Sequence, residues 1–339
     1  MKAVVFERVG EMAIRDVGTP SPGPEEVLMS VEAAGICGTD KHIFSGKYTA
    51  RYPLIPGHEY AGRVTALGAG VTDLKVGDLI SVDPNVTCGR CPYCQRGKTH
   101  LCLNLEALGV TRAGGFAEFS LVPAKQAYHL PDTVSAEEGA LIEPLACAIH
   151  GLHMGRVEAG DTVVILGGGT MGGLLMQLAR NAGAARVLVA EPIEGRRKKL
   201  AELGADVVMN PLTDDVLATI HTLDPEGADV VYEAAGRPDT AQQAIGLARR
   251  GGTVVFFGCV EPEHDIKVNP AMMNDRELTI CGSFNNPFTH KAAVDLVSTG
   301  RIKVEPFVSR RFALDEFPEA FDYFGAPDSY KLMIIPGSG

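Results

Sequence analysis

The chain has 339 residues, of which 45% are hydrophobic and 22% are charged, as expected of a globular protein that buries a substantial core. Its net charge of −11 argues against a nucleic-acid partner, because phosphates require a basic surface. No apolar run is long enough to span a bilayer, and the amino-terminal residues read as a strand and not as a signal peptide. We therefore expect a cytoplasmic protein without a membrane partner.

The eight cysteines favour metal binding over disulfide bonds, because the chain is large and shows no export signal. The length is typical of two domains.

Residues 2 to about 130 contain short apolar or alternating runs between glycine and proline clusters, a pattern typical of β-strands. Several such strands at close spacing predict a barrel or a sandwich. Near residue 135 the pattern becomes helical, because Ser135 and Glu138 fit a capping box at the start of a helix over 136–154. The strand candidates before it are Lys2–Glu7, Val27–Ala34, Ala61–Leu67 and Phe116–Val122.

From residue 162 onward, strand and helix patterns alternate. Six strand candidates with intervening helices predict a doubly wound parallel sheet of the α/β class. The strands are Thr162–Leu166, Arg186–Ala190, Val207–Met209, Val230–Tyr232, Thr253–Phe257 and Leu278–Cys281, and the clearest helices are Met171–Asn181 and Glu194–Leu203.

After residue 287 the sequence predicts two helices, Lys291–Ser298 and Asp315–Phe324, and then the apolar run Lys331–Ile335. We expect that run to return to the β-rich region as a strand. The parallel sheet would then be inserted in a discontinuous domain. The predicted domains are residues 1–148 with 287–339, and residues 149–286.

One group of candidate metal ligands lies in the β-rich part. Cys37, His58 and Glu59 offer a thiolate, an imidazole and a carboxylate, which zinc accepts in tetrahedral sites that can keep one position open. Thr39 and His42 follow the cysteine closely and can pass a proton. Each residue alone is more commonly structural, and their joint occurrence is what suggests a reaction centre.

A second group consists of Cys88, Cys91, Cys94 and Cys102. Four thiolates at this spacing predict a closed tetrahedral zinc site, which has no open position and is therefore structural. An iron–sulfur cluster uses similar spacing, and free buried cysteines are the third reading. Nothing else in the sequence indicates electron transfer, so we favour zinc.

A glycine-rich loop follows the first strand of the alternating region. Gly167, Gly169 and Gly172 form G-x-G-x-x-G between a strand and a helix, with Thr170 and Met171 inside the motif. The glycines would permit the tight turn, the approach of the pyrophosphate and the packing of helix on strand. The helix N-terminus would favour the phosphate charge. The motif predicts a bound dinucleotide.

Glu191 ends the second strand of this region, about twenty residues after the loop, where a carboxylate commonly binds the adenosine ribose. It would repel a 2′-phosphate, which favours NAD over NADP. Arg196 and Arg197 lie close by and keep NADP possible, because they can contact either the ribose or a phosphate. They can equally form a solvated helix face.

With these residues placed, the chain resembles the zinc-dependent medium-chain dehydrogenase/reductase family over nearly its whole length. Gly57-His58-Glu59-Tyr60-Ala61-Gly62, with Gly68 and Val71, is similar to that family's zinc signature. Leu141-Ile142-Glu143-Pro144-Leu145 with His150 resembles the sorbitol and polyol dehydrogenase group. The resemblance implies a Rossmann domain inserted in a GroES-like catalytic domain, with NAD and two Zn²⁺ ions per chain, one catalytic and one structural.

The same resemblance implies roles for individual residues. Cys37 and His58 would bind the catalytic zinc, and either Glu59 or Glu143 would be the third protein ligand. Asp40 would orient His58. The proton of the alcohol would leave through Thr39, a cofactor ribose hydroxyl and His42.

Three further residues follow the ends of the last three strands of the sheet: Gly236, Gly258 and Phe284. Ligands of such sheets bind at the carboxyl ends of the strands, so these residues are candidates for nicotinamide contact. Some polyol dehydrogenases carry an arginine near this last position. This chain has Asn285 and Asn286 there instead.

The function predicted is hydride transfer between a secondary alcohol, a polyol or sugar alcohol oxidised to a ketose, and NAD. The alternatives are an L-threonine 3-dehydrogenase-like or other secondary-alcohol dehydrogenase, and a protein that binds zinc and a dinucleotide without catalysis. The non-catalytic reading fits less well because the ligand candidates Cys37 and His58 are present. We expect a small-molecule alcohol or ketone substrate and a homotetramer or homodimer.

Overall fold

A computed structural model describes residues 1–261 and 263–337 of the chain. The chain divides into two compact units: unit 1 comprises Met1–Ala146 with Pro287–Gly339, and unit 2 comprises Cys147–Asn286. Within the described ranges, no helix combines the length and the apolar character that crossing a membrane requires.

The elements up to residue 155 are mostly short strands, as the sequence predicts for this part of the chain. They are β1 (Lys2–Arg8), β2 (Glu11–Asp16), β3 (Glu26–Gly35), α1 (Gly38–Phe44), β4 (Glu59–Leu67), β5 (Leu79–Val82), β6 (Asn85–Val86), β7 (Glu106–Ala107), β8 (Phe119–Pro123), β9 (Ala127–His129), α2 (Ala136–Ala140) and α3 (Ile142–Gly155).

Strands and helices then alternate up to residue 282. They are β10 (Thr162–Leu166), α4 (Thr170–Asn181), β11 (Arg186–Ala190), α5 (Glu194–Glu202), β12 (Val207–Met209), α6 (Val216–Leu223), β13 (Ala228–Glu233), α7 (Pro238–Leu247), β14 (Ala248–Phe256), α8 (Pro270–Arg276) and β15 (Thr279–Gly282). The last part of the chain contains α9 (His290–Ser298), β16 (Val308–Ala313), α10 (Phe317–Tyr323) and β17 (Lys331–Ile335).

Unit 2 is built on a parallel six-stranded sheet of order β12-β11-β10-β13-β14-β15. This is the doubly wound order in which the strand sequence reverses between the first and fourth strands, here β10 and β13. The core positions of β10 and its neighbours are apolar and buried, as in Val164, Leu188, Val231 and Val254, because helices cover both faces of such a sheet. The predicted α/β class and doubly wound sheet are confirmed.

Unit 1 contains a mainly antiparallel sheet of order β16-β17-β3-β4-β5-β9, with β8 also paired to β3. The strand β17 pairs antiparallel with β3 through Met333↔Gly35 and Ile334↔Ala34, so the predicted return of the final apolar run is confirmed. On the other side of β3, Gly35 is paired with Glu59, the first residue of β4. Three strands from distant parts of the sequence therefore meet around Gly35.

The core of unit 1 includes a cluster of phenylalanines from both parts of its chain. The rings of Phe6, Phe116, Phe317 and Phe321 lie with centroids 4.8–6.4 Å apart. Aromatic pairs at this separation stabilise a core beyond the area they bury. The cluster joins β1 to α10, which stands more than 300 residues later in the sequence.

Two of the predicted helices differ from those in the structure. The region predicted as one helix over 136–154 is two helices, α2 and α3, separated at Leu141, although the capping box of Ser135 and Glu138 forms as predicted. The predicted helix over 315–324 begins as a 3₁₀ turn, Leu314–Glu316, before α10.

Candidate active site

The first candidate centre begins at Cys37, which caps the N-terminus of α1. The buried side chain of Asp40 turns back to accept the N–H of Cys37 at 2.9 Å, so the cysteine and the first helical turn are fixed together. Thr39 lies in the same turn, with Oγ1 3.7 Å from Cys37 Sγ. The short helix α1 was not predicted, because its pattern of apolar residues covers fewer than two turns.

His58 and Glu59 reach the same place from the start of β4. Gly57 precedes them with φ of +92°, a conformation that side chains disfavour, and a Cβ atom there would lie 2.8 Å from the ring of Phe116. The glycine thus permits the turn that places His58 and Glu59 inside the unit, where both are buried. Each of Cys37, His58 and Glu59 offers one ligand atom, and these three atoms lie within 4.8 Å of one another.

The second carboxylate oxygen of Asp40 lies beside His58. Asp40 Oδ1 is 3.5 Å from His58 Nδ1, and neither atom has a hydrogen-bond partner among the described residues. Burial lowers the pKa of His58, but the negative charges of Cys37 and Asp40 outweigh burial and raise it well above its ordinary value. The site thus concentrates negative charge around a buried imidazole, and a divalent cation fits this donor set.

Lys331, the first residue of β17, belongs to this centre although the sequence did not predict it. Its Nζ is buried and lies 2.5 Å from Glu59 Oε2 and 3.2 Å from the carbonyl oxygen of Ile36. Burial lowers the pKa of Lys331, but the charges of Glu59, Cys37 and Glu143 overcome that effect and raise it. Lysine is rarely buried unless it is paired. A single lysine at the edge of an apolar strand was therefore the signal in the sequence that could have indicated this ion pair.

Gly35 makes this ion pair possible. A Cβ atom at Gly35 would lie 2.6 Å from Glu59 Oε2 and 3.0 Å from Lys331 Cδ. Glycine therefore leaves the space in which the pair meets, between β4 and β17.

Glu143 is the second residue of α3 and is buried. Its charge acts on Lys331, which brings it into the electrostatic neighbourhood of the centre. Among the described residues, however, it lies outside the set of mutually close ligand atoms formed by Cys37, His58 and Glu59. Its role as a metal ligand stays a prediction.

The second candidate centre holds the four predicted cysteines. One sulfur atom from each of Cys88, Cys91, Cys94 and Cys102 lies within 4.8 Å of the others, and two of the pairs are 3.5 Å apart. All eight cysteines of the chain are free of disulfide bonds. Tetrahedral zinc with Zn–S bonds of about 2.3 Å separates its sulfur atoms by roughly 3.8 Å, so the four-cysteine lobe, residues 88–102, fits such an ion.

The thiols of this lobe cannot all ionise unaided. Backbone N–H groups of Arg90 and Cys91 lower the pKa of Cys88 to about 6, whereas burial raises the pKa of Cys94 to about 12. A cation removes this conflict because it stabilises all four thiolates together.

The glycine loop has the conformation that its sequence predicts. Gly167 has φ of +105°, Gly169 caps α4, and a Cβ atom at Gly172 would lie 1.8 Å from the carbonyl oxygen of Gly167. Thr170 and Met171 form the first turn of α4. The N-terminus of this helix thus opens toward the loop, as in sites that bind pyrophosphate.

Glu191 follows β11 and is buried against the loop. Its Oε2 accepts the N–H of Gly168 and its Oε1 accepts the N–H of Ile193, both at 2.9 Å. Arg196 Nη1 is 3.9 Å from Glu191 Oε2, whereas Arg197 donates to the carbonyl oxygens of Glu191 and Pro192. Each carboxylate oxygen keeps a second lone pair for a ribose hydroxyl.

The predicted nicotinamide contacts lie at the carboxyl ends of three strands. Gly236 follows β13 with φ of +68°, and a Cβ atom at Gly258, after β14, would lie 2.4 Å from Gly236 N. These two turns therefore touch. Phe284 follows β15 and is 45% exposed.

Two family models match the chain: an alcohol dehydrogenase GroES-like domain over residues 23–132 and a zinc-binding dehydrogenase domain over residues 170–299. D-arabinitol dehydrogenase 1 of Uromyces fabae is 33% identical, over 99% of this chain and 97% of its own. L-threonine 3-dehydrogenase of Thermococcus kodakarensis is 35% identical, over 96% and 94%.

Among solved structures, a zinc-binding dehydrogenase of Sinorhizobium meliloti 1021 bound to NADP is 45% identical with a TM-score of 0.96, and 99% of each chain is covered. The chain belongs to the zinc-dependent medium-chain dehydrogenase family. It is an oxidoreductase that uses zinc and NAD or NADP.

Proposed function

We propose that this protein oxidises a secondary alcohol, in particular a polyol, to the ketone, with NAD as the acceptor. One observation supports this most: Cys37, His58 and Glu59 gather three different ligand types within 4.8 Å in a buried site. The relative from Uromyces fabae, which acts on arabinitol, favours a polyol substrate. In the reaction the alcohol carbon loses a hydride, the hydroxyl loses a proton, and the products are a ketone, NADH and H⁺.

Cys37 and His58, with Glu59 or Glu143, would hold the catalytic zinc. When bound, zinc supplies Lewis-acid chemistry that lowers the pKa of an alcohol. Asp40 keeps His58 in one orientation, because its second oxygen is fixed on the N–H of Cys37. Lys331 binds one oxygen of Glu59 and so restrains the direction in which that carboxylate can point.

Thr39 and His42 would carry the proton away. They are three residues apart on α1, so their side chains lie on neighbouring positions of one helix face. Thr39 Oγ1 is next to Cys37 Sγ and can accept the hydroxyl proton while it donates its own. His42 is half-buried, so its imidazole can exchange a proton with water.

The preference for NAD rests on Glu191. A carboxylate at the end of the second strand accepts ribose hydroxyls and repels a 2′-phosphate. A structural neighbour is bound to NADP, and Arg196, whose Nη1 lies 3.9 Å from Glu191 Oε2, is a cation that could bind a 2′-phosphate once Glu191 is removed. Replacement of Glu191 by alanine should lower the preference for NAD in a comparison of kcat/KM for the two cofactors.

The test of the function is NADH formation by zinc-loaded protein on a panel of D-arabinitol, sorbitol, L-threonine and a simple secondary alcohol. We expect turnover of a polyol with NAD. Turnover of L-threonine alone would replace the polyol by the second candidate, which the Thermococcus relative favours. Dinucleotide binding without turnover on any substrate would favour a non-catalytic protein.

We also propose a cytoplasmic location and a homotetramer or homodimer. Eight cysteines without a disulfide bond are typical of a reducing compartment. The strand β15 has one side without a partner strand in the described ranges, and such an edge can pair across a two-fold axis. Light scattering on the purified protein measures the oligomeric state.

A further inference from the structure

Glu233 is a buried carboxylate at the carboxyl end of β13 that has no role in the sites above. Its Oε1 accepts the N–H groups of Ala235 and Gly236 at 3.0 and 2.9 Å, and the hydroxyl of Thr240 at 2.7 Å. The N–H of Arg237, at 3.5 Å, is a fourth donor to the same oxygen. Four donors on one oxygen fix the turn that follows β13, because each restricts the movement of that turn.

The same residue also fixes the turn that follows β14. Its backbone carbonyl accepts the N–H groups of Phe257 and Gly258 at 2.9 and 2.7 Å. A Cβ atom at Gly258 would lie 2.6 Å from Glu233 Oε2 and 2.4 Å from Gly236 N. Glu233 therefore holds the two turns together with both its backbone and its side chain.

The turn after β13 lies directly against the glycine loop. Ala234 donates its N–H to the carbonyl oxygen of Leu166 at 2.8 Å, and a Cβ atom at Gly167 would lie 2.7 Å from Ala235 N. The strands β10 and β13 are neighbours where the strand order reverses, and ligands of such sheets bind in the crevice at that point. Glu233 thus stands beneath the place where the dinucleotide would lie.

The other carboxylate oxygen of Glu233 is buried without a hydrogen-bond partner among the described residues. A buried oxygen without a hydrogen-bond partner lowers the stability of the fold. Its presence in Glu233 therefore calls for an explanation other than stability. A functional constraint on the geometry of the adjacent turns provides one.

We propose that Glu233 is a positioning residue that sets the backbone of Gly236 and Gly258 to hold the nicotinamide half of the dinucleotide. It acts through these turns, whereas the glycine loop and Glu191 hold the adenosine and pyrophosphate half. This inference rests on the proposed function, because it assumes that the site binds a nicotinamide dinucleotide.

The experiment compares the binding of NADH with that of ADP-ribose, which lacks nicotinamide, by isothermal titration calorimetry on zinc-loaded protein. In Glu233→Ala the Kd for NADH should rise by about tenfold or more, which is the scale of one lost positioning contact. The Kd for ADP-ribose should change by less than about threefold. Glu233→Asp, which withdraws the carboxylate by one methylene, should show the same selective loss and is less disruptive to the fold.

Glu233→Gln is the rescue variant, because it keeps the length of the side chain and an oxygen that can accept the same donors. It should bind NADH more tightly than Glu233→Ala does, and KM for NAD should follow the same order. Equal losses of NADH and ADP-ribose in Glu233→Asp, or no loss in either, would overturn the inference and leave the proposed function standing. Failure of the wild-type protein to bind either molecule would overturn both.

Discussion

The buried ion pair of Lys331 and Glu59 is the residue-scale feature that most shapes the candidate centre. A lysine ammonium removed from water needs an anion and a hydrogen-bond acceptor, and here Glu59 and the Ile36 carbonyl provide them. The pair also decides where one oxygen of a candidate metal ligand points. Stability and ligand geometry therefore depend on the same contact.

Replacement of Lys331 by methionine leaves the charge of Glu59 buried without its cation. We expect the free energy of unfolding to fall by about 3–5 kcal/mol, measured by urea denaturation of protein without metal at the Cys37 centre, where no other cation compensates Glu59. The double variant Glu59→Gln with Lys331→Met should recover part of this loss, because no uncompensated charge remains. The control is Lys291→Met, which breaks an exposed pair with Asp295 and should change stability little. A single Lys331 variant as stable as the control would contradict the account.

The sequence predicts part of this centre and misses the rest for a physical reason. Cys37, His58 and Glu59 are recognised because their side chains are suitable ligands, and the fold brings them together. Lys331 is missed because its role depends on the pairing of β17 with β3, which no local pattern contains. For Glu143 the sequence shows a side chain that can bind a metal. It does not give the distance between that carboxylate and the other candidate ligand atoms.

At the scale of elements, two segments have the geometry that their sequence motifs predict: the glycine loop with α4, and the four-cysteine lobe. Apolar strands such as β10, β11 and β12 have the bounds that the sequence predicts, because apolar runs bounded by turns define both of their ends. The break between α2 and α3 was missed, because the apolar pattern continues through Leu141 although the backbone turns there.

Gly172→Ala tests the contact between α4 and β10. A Cβ atom 1.8 Å from the Gly167 carbonyl oxygen must move the helix away from the strand. We expect a loss of about 1–3 kcal/mol in unfolding free energy, with weaker NADH binding measured by fluorescence titration. Gly195→Ala is the matched control, because Gly195 is helical with no atom within 4 Å of its added Cβ. It should be neutral or stabilising by up to about 1 kcal/mol. Equal behaviour of the two variants would refute the packing argument.

Cys91→Ser tests the four-cysteine lobe. Serine is a poor ligand for zinc, so we expect metal content to fall from about two ions per chain to about one, measured by plasma mass spectrometry. The melting temperature should fall with it, because a structural zinc contributes directly to the free energy of folding. Cys147→Ser, outside both groups of close ligands, serves as the control and should keep both ions. Retention of two ions in Cys91→Ser would contradict the assignment of Cys91 as a ligand of a four-thiolate zinc site.

At the scale of the whole molecule, the fold joins distant parts of the chain through buried contacts. In unit 1, His290 Nε2 lies 3.0 Å from Ser81 Oγ, which donates to the carbonyl oxygen of Gly139 at 2.8 Å. Nε2 must therefore carry the proton and donate it to Ser81, which defines a neutral tautomer. Burial lowers the pKa of His290 to about 3.

Because the pKa of His290 is lowered, we expect the protein to lose stability in mild acid. The pKa of this histidine is lower in the folded chain than in the unfolded one, so the unfolded chain binds the proton first. The stability that neutral His290 contributes is fully present above about pH 6.5 and is lost as the pH falls toward about 3. Between pH 7 and pH 5 the wild-type protein should lose about 2 kcal/mol more than His290→Gln does, in chemical denaturation at each pH. Parallel curves for the two proteins would exclude this role.

The position of β17 in the sheet has a consequence for biosynthesis. A nascent chain that has already emerged as far as β15 still lacks the strand that supplies Lys331 and completes the pairing around Gly35. Unit 2 can therefore fold during translation before the segments that complete the reaction centre are synthesised. Ribosome-bound chains should acquire dinucleotide binding before they acquire a tightly held catalytic metal.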